Sequence, residues 1–146
     1  MQPDFRVGVD LVRTRHVAAS LDRLGQRFVR RIFTPAEARY ALSSRAEAAR
    51  RLAARFAAKE AVIKLLALDH GLNWREIEVR RSRSGACTLA LRGAALAAAR
   101  RAGLGALAVS LSHEDEYAIA VVVGRCAPRG GAKRRGKQWK KPSGES

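Results

Sequence analysis

Apolar and polar residues alternate from Val7 to Val12, so that Val7, Val9 and Leu11 share one face while Gly8 and Asp10 share the other. A period of two predicts a strand. The apolar set is expected to take the core side, which turns Asp10 away from the core, and Gly8 on the same face leaves space beside its carboxylate. The period then changes. Helical spacing predicts a helix over about Arg13 to Leu24, a break at Gly25 and a short helical piece around Arg27 to Ile32. Thr34, Pro35 and Glu37 stand as N-cap, first helical residue and capping-box partner of a helix reaching about Leu42. Ser43 or Ser44 is placed to cap a long helix from about Arg45 to Leu68, with Gly71 and Asn73 ending it.

The second half returns to strands. Glu76 to Arg80 and Cys87 to Leu91 alternate around a polar Ser82–Gly85 turn, which predicts a hairpin. An Ala-rich helix from Gly93 to Ala102 follows. Leu107 to His113 and Tyr117 to Val123 then form a second hairpin about Glu114-Asp-Glu116, an acidic turn in a basic protein. The order is α+β, a small antiparallel sheet packed with a long central helix, in one domain over residues 1–125.

The long helix carries unusual chemistry. Wound at about 100° per residue, it puts Leu52, Phe56, Ile63 and Leu66 on one side and Ala54, Ala58, Ala61 and Leu65 on another, so both sides call for burial. Between them lies a strip with Glu60 and Lys64 one turn apart, flanked by Ala53 and Ala57, residues too small to fill the space beside the charges. That strip reads as one wall of a cleft, or as an ordinary solvated i,i+4 pair. Lys59 interrupts an apolar side, and the pattern does not say what it meets.

Composition narrows the classes. The 146 residues suit one domain with its own core, and Cys87 and Cys126 make neither a disulfide framework nor a zinc site. No apolar run reaches a membrane span, so a cytoplasmic protein is expected. Lys and Arg number 29 against 13 Asp and Glu, a formal net charge of +16 that will attract anions and acidic partners. Residues 126–146 contribute +6 of it in a Gly-, Pro- and Ser-rich stretch expected to be a disordered basic tail, which leaves +10 on residues 1–125. Arg13, Arg15, Arg23 and Arg27 give the first helical region a basic surface.

Three separated motifs occur in one order: Asp10 in Gly-Val-Asp-Leu-Val, Glu60 in Arg55-Phe-Ala-Ala-Lys-Glu-Ala-Val62, and Ser110-Leu-Ser-His113 before Tyr117. With Trp74-Arg-Glu-Ile-Glu-Val79, they make the chain closely resemble the holo-acyl-carrier-protein synthases, the short, single-domain 4′-phosphopantetheinyl transferases, over about residues 7–123. The resemblance implies that fold, a homotrimer with active sites at subunit boundaries, and transfer of 4′-phosphopantetheine from coenzyme A to a serine of an apo acyl carrier protein. The other product is adenosine 3′,5′-bisphosphate. It implies Mg²⁺ on Asp10 and Glu60, Lys64 aimed at the pyrophosphate, and Glu60 as base toward the incoming serine, directly or through water. Arg55, Ser112 and His113 are then expected at coenzyme A, with Arg13, Arg15, Arg23 and Arg27 toward the acidic carrier. Two oxygen-donor side chains suffice for Mg²⁺, which usually keeps waters and substrate phosphate as its other ligands.

The chain departs from the family in three places, one of them Glu114, which stands where many relatives have Thr or Asp. His16 stands where Arg is frequent, and Leu66-Ala-Leu-Asp-His-Gly71 replaces a Gly-rich turn near the nucleotide phosphates. A nucleic-acid-binding module would also use the charge, but no zinc-finger spacing, aromatic RNA-binding strand or recognition helix is evident. A non-catalytic scaffold for carrier proteins would gain nothing from Asp10, Glu60 and Lys64 together. The sequence does not separate fatty-acid, polyketide and peptide carriers as clients.

Overall fold

In the computed structural model, which describes residues 4–69 and 71–127, the chain runs β1 (Phe5–Arg13), α1 (Thr14–Leu24), α2 (Gln26–Ile32), α3 (Pro35–Leu42) and α4 (Ala48–Leu66). A 3₁₀ turn (Trp74–Glu76) leads to β2 (Ile77–Arg81) and β3 (Cys87–Leu91), then α5 (Gly93–Arg101), β4 (Leu104–His113) and β5 (Tyr117–Cys126). Two antiparallel sheets result, one of order β1-β5-β4 and one of β2 with β3. Helix α4 lies across the first sheet, and its small residues Ala53, Ala57, Ala58 and Ala61 are wholly buried there, where bulkier side chains would hold helix and sheet apart.

The face of β1 is the reverse of the one expected. Val7, Val9 and Leu11 are exposed, while Gly8 and Val12 turn toward α4. The reason is packing distance. A Cβ at Gly8 would run into the Ala61 carbonyl and come within 3.0 Å of the Leu65 Cβ. The helix backbone therefore fills the room that the missing side chain leaves, and β1 can come close enough for Asp10 to reach α4. Ile119 and Val121 of β5, level with Leu11 and Val9, continue the exposed apolar face.

The capping box at Thr34 forms as expected, with the Thr34 N–H donating to Glu37 at 2.9 Å and the Glu37 N–H donating to Thr34 Oγ1 at 3.3 Å. Helix α4 differs at both ends. It begins after Glu47 with no side-chain cap, and it ends at Ala67, whose φ of 51° lies in the left-handed region, several residues before Gly71. Asn73 instead accepts from the Arg75 N–H and starts the 3₁₀ turn ahead of β2. Strands β4 and β5 are longer than their alternation suggested, and Cys126 belongs to β5. His70 and residues 128–146, the bulk of the basic tail, lie outside the described residues.

Candidate active site

Asp10 enters the site from the middle of β1, and Glu60 and Lys64 enter from successive turns of α4. The Lys64 ammonium donates to Asp10 Oδ1 at 2.7 Å and to the Val9 carbonyl at 3.1 Å. Asp10 and the half-buried Glu60 both line a cleft of about 570 Å³. Its remaining wall is Leu11, Val12 and Arg13 from the end of β1, His16, Val17 and Ser20 from α1, Phe28 from α2 and Phe56 from α4. The cleft thus combines two carboxylates with apolar and aromatic surface. Phe56 is held by stacking on Trp74, with ring centroids 5.2 Å apart. Of the sequence strip expected to form a cleft wall, Glu60 lines the cleft and Lys64 reaches Asp10 on it, whereas Ala53 and Ala57 are wholly buried.

The donor chemistry suits a hard divalent cation. Asp10 and Glu60 supply carboxylate oxygens on one cleft, and an ammonium already sits on Asp10, so the local field accepts positive charge. No cluster of three or more His, Cys, Asp and Glu side chains able to hold a metal occurs among the described residues. The Asp10 and Glu60 carboxylates by themselves fit Mg²⁺, which is typically held by one or two carboxylates with water and phosphate.

A second pair draws on the same helix. Lys59, next to Glu60 and about 100° around α4 from it, has its ammonium 2.9 Å from Glu37 Oε2, and neither side chain is exposed at all. Lys59 also donates to the carbonyls of Trp74, at 3.1 Å, and Ile77. Glu37 Oε1 accepts the Val79 N–H at 2.7 Å, while Oε2 accepts from Thr34. One ion pair therefore joins α3, α4, the 3₁₀ turn and β2. Burial pushes the Lys59 ammonium below its ordinary pKa, and the Glu37 carboxylate pulls it part of the way back. The sequence offered Glu37 only as a capping residue. An acidic helix start and a lysine on an apolar helix side are the two halves of the signal, and they are 22 residues apart.

The other predicted residues divide. Arg13, Arg15, Arg23 and Arg27 are all exposed on or beside α1 and α2, and Arg13 also leans on the Tyr117 ring at 5.2 Å. Arg55 is not brought to Asp10. It is buried, lies 4.2 Å from the Tyr40 ring centroid and donates to the Arg51 carbonyl at 3.4 Å. Burial lowers its guanidinium pKa, and its Nε is without a hydrogen-bond partner. Arg51 and Arg81 approach the same ring at 4.7 and 5.4 Å.

Ser112 and His113 stand at the far end of β4 and do not line this cleft. Register explains it. Ser112 is level with Ile119 and Leu11, so it shares the exposed apolar face, whereas Asp10 is level with Ala120 and Leu111 on the helix side. The acidic turn beyond His113 has a local use, because Asp115 meets Arg50 at 2.8 Å and the Glu116 carbonyl accepts the first N–H of α1 at 2.8 Å. The hairpin tip thereby holds the start of both helices that flank the cleft.

Comparison with known proteins agrees with this geometry. Residues 6–122 match the 4′-phosphopantetheinyl transferase superfamily. The chain is 47% identical over 116 residues to the holo-[acyl-carrier-protein] synthase of Dehalococcoides mccartyi, covering 80% of this chain and 94% of that one. It is 43% identical over 118 residues to the enzyme of that name from Gloeobacter violaceus, covering 80% and 89%. Among solved structures, the Chronobacterium ammoniagenes ACPS–CoA complex superposes with a TM-score of 0.76 at 34% identity, over 86% of this chain and 99% of that one. Motif spacing, a carboxylate cleft between β1 and α4, and these likenesses lead to one conclusion: the chain belongs to the 4′-phosphopantetheinyl transferase superfamily, in its holo-[acyl-carrier-protein] synthase branch.

Proposed function

We infer that this chain transfers the 4′-phosphopantetheine group of coenzyme A to a serine hydroxyl of an apo acyl carrier protein and releases adenosine 3′,5′-bisphosphate. The observation that carries the reading is the meeting of Asp10 and Glu60 on one cleft beside an arginine-studded helix, with Lys64 paired to Asp10. Asp10 and Glu60 are the residues to hold Mg²⁺, which when bound offsets pyrophosphate charge and favours in-line displacement. Lys64 supplies a mobile positive charge for the pyrophosphate oxygens. Glu60, directly or through water, takes the proton as the serine oxygen forms its bond to the β-phosphorus and the bond to the bridging oxygen of the leaving group breaks. Arg13, Arg15, Arg23 and Arg27 steer an acidic carrier toward the cleft, an attraction that salt weakens.

The assembly we infer is a homotrimer. Its support is the apolar sheet face of Phe5, Val7, Val9, Leu11, Ile119 and Val121, which a single chain leaves exposed. Ser112 stands on that face, while His113 is exposed at the end of β4 and level with Ala118 and Val12, and a neighbouring copy is the source of these groups for a site that one chain does not complete. Val9→Glu should dissociate the assembly, read by light scattering, with loss of transfer. The basic tail serves as an accessory, and deletion after Ala127, which spares the end of β5 and its bonds to Asp4 and Gly103, should leave transfer nearly unchanged at moderate salt. No helix among the described residues is long and apolar enough to cross a membrane, and a cytoplasmic setting fits the reading.

The decisive experiment incubates the protein with coenzyme A, Mg²⁺ and a panel of apo carrier proteins and follows the carrier's mass increase. Asp10→Ala and Glu60→Ala should each lower turnover by at least about a hundredfold, the scale of a lost general base or electrostatic group. Full activity in either variant would remove that carboxylate from the mechanism.

A further inference from the structure

We propose that the Lys64 ammonium and the divalent cation compete for Asp10, so that binding the metal is what releases Lys64 for phosphate capture. This rests on the reading of Asp10 and Glu60 as metal ligands. The ammonium bonds Asp10 Oδ1 at 2.7 Å and the Val9 carbonyl at 3.1 Å, which places a unit charge on the carboxylate that a divalent cation would also need. Two cations that close repel each other strongly in a half-buried site. The ammonium is the one able to leave. Its side chain is 55% exposed against 15% for Asp10, it hangs on a flexible four-carbon stem, and its hydrogen bonds to Asp10 and the Val9 carbonyl are both to β1.

Lys64 would then work in two positions. On Asp10 it screens the carboxylate. Displaced from Asp10, it carries its charge into the space beside the bound ion, where anionic oxygens of a diphosphate ester gather. Metal binding and diphosphate binding become coupled through one side chain, and the coupling must act equally in both directions.

Mn²⁺ titration of the full chain, followed by the electron paramagnetic resonance of the free ion and without coenzyme A, tests this. Lys64→Met should bind Mn²⁺ about three- to tenfold more tightly than wild type, since it lacks the internal competitor, an exposed pair worth up to about fivefold plus the repulsion relieved. Arg13→Met, which removes a cleft-lining cation that does not touch Asp10, should shift the affinity much less. With inorganic pyrophosphate as second probe, Lys64→Met should weaken its binding when Mn²⁺ is present and leave it unchanged when Mn²⁺ is absent. Equal or weaker Mn²⁺ binding by Lys64→Met, with Asp10→Asn still impaired, overturns the exchange and leaves the metal site standing. Wild-type affinity in Asp10→Asn overturns the metal reading and the exchange with it.

Discussion

Helix α4 carries two lysines five residues apart, each paired with a carboxylate from another element, and the two pairs have opposite characters. Lys59 and Glu37 are sealed from water and have all their neighbours fixed, including the Val79 amide and the Trp74 and Ile77 carbonyls. Lys64 and Asp10 meet at a similar distance but at the lip of a cleft, with the lysine largely in solvent. A sealed pair resists exchange, because separating it would strand a charge in the interior. An open pair costs little to break and is worth at most about 1 kcal/mol. The same two chemical groups therefore make a joint in one place and an exchangeable contact in the other, and burial decides which.

The comparison is broken most severely at the joint. Lys59→Met should cost about 3–5 kcal/mol by urea unfolding, as Glu37 is left buried and unpaired, and Glu37→Gln combined with Lys59→Met should recover much of that loss. A single-variant loss under 1 kcal/mol would mean that water or another cation reaches Glu37. Next comes the contact that brings the open pair together. Gly8→Ala forces β1 away from Ala61 and Leu65, so a loss of about 1–3 kcal/mol is expected, together with lower transfer as Asp10 moves off α4. Asp10→Asn is the mirror experiment at the cleft. Its unfolding free energy should stay within about 1 kcal/mol of wild type while transfer collapses, a split that the buried pair cannot show.

The smallest effect concerns acid. Burial raises the Glu78 carboxyl, but hydrogen bonds from Arg80 and Thr34 and the charge of Arg92 outweigh it and hold the pKa below the ordinary 4.5. A carboxyl depressed on folding contributes stability above pH 4.5 and loses it as pH falls through the lower, folded value. Glu78→Gln should therefore flatten the acid limb of the stability profile below that pH, leaving the neutral region to be read for any cost of the substitution itself. Arg80 and Arg92 are well exposed, so the change should be modest.

Local chemistry was largely legible. The capping box at Thr34, the hairpins and the Ala-rich α5 depend on neighbours within a few residues and stand near where they were expected. The face of β1 was misread because alternation fixes which residues share a face and not which face meets the helix. Here the smaller set, Gly8 with Asp10, goes inward so that helix and strand can touch. The end of α4 was placed too late because the expected glycine signal is overridden at Ala67, where a non-glycine residue takes the left-handed conformation. Of the candidate site named from spacing and resemblance, Asp10 and Glu60 line one cleft and Lys64 is paired with Asp10, but Arg55, Ser112 and His113 do not line it in a single chain.

By itself the sequence determined the order of elements, the basic character of the chain, its family and the identity of the charged side chains, since these depend on residue types and short-range periodicity. Only the tertiary structure decided that Lys59 belongs to Glu37 and Lys64 to Asp10. Those partners are 22 and 54 residues away, and an ion pair is set by where packing brings two backbones together and how much water it leaves between them.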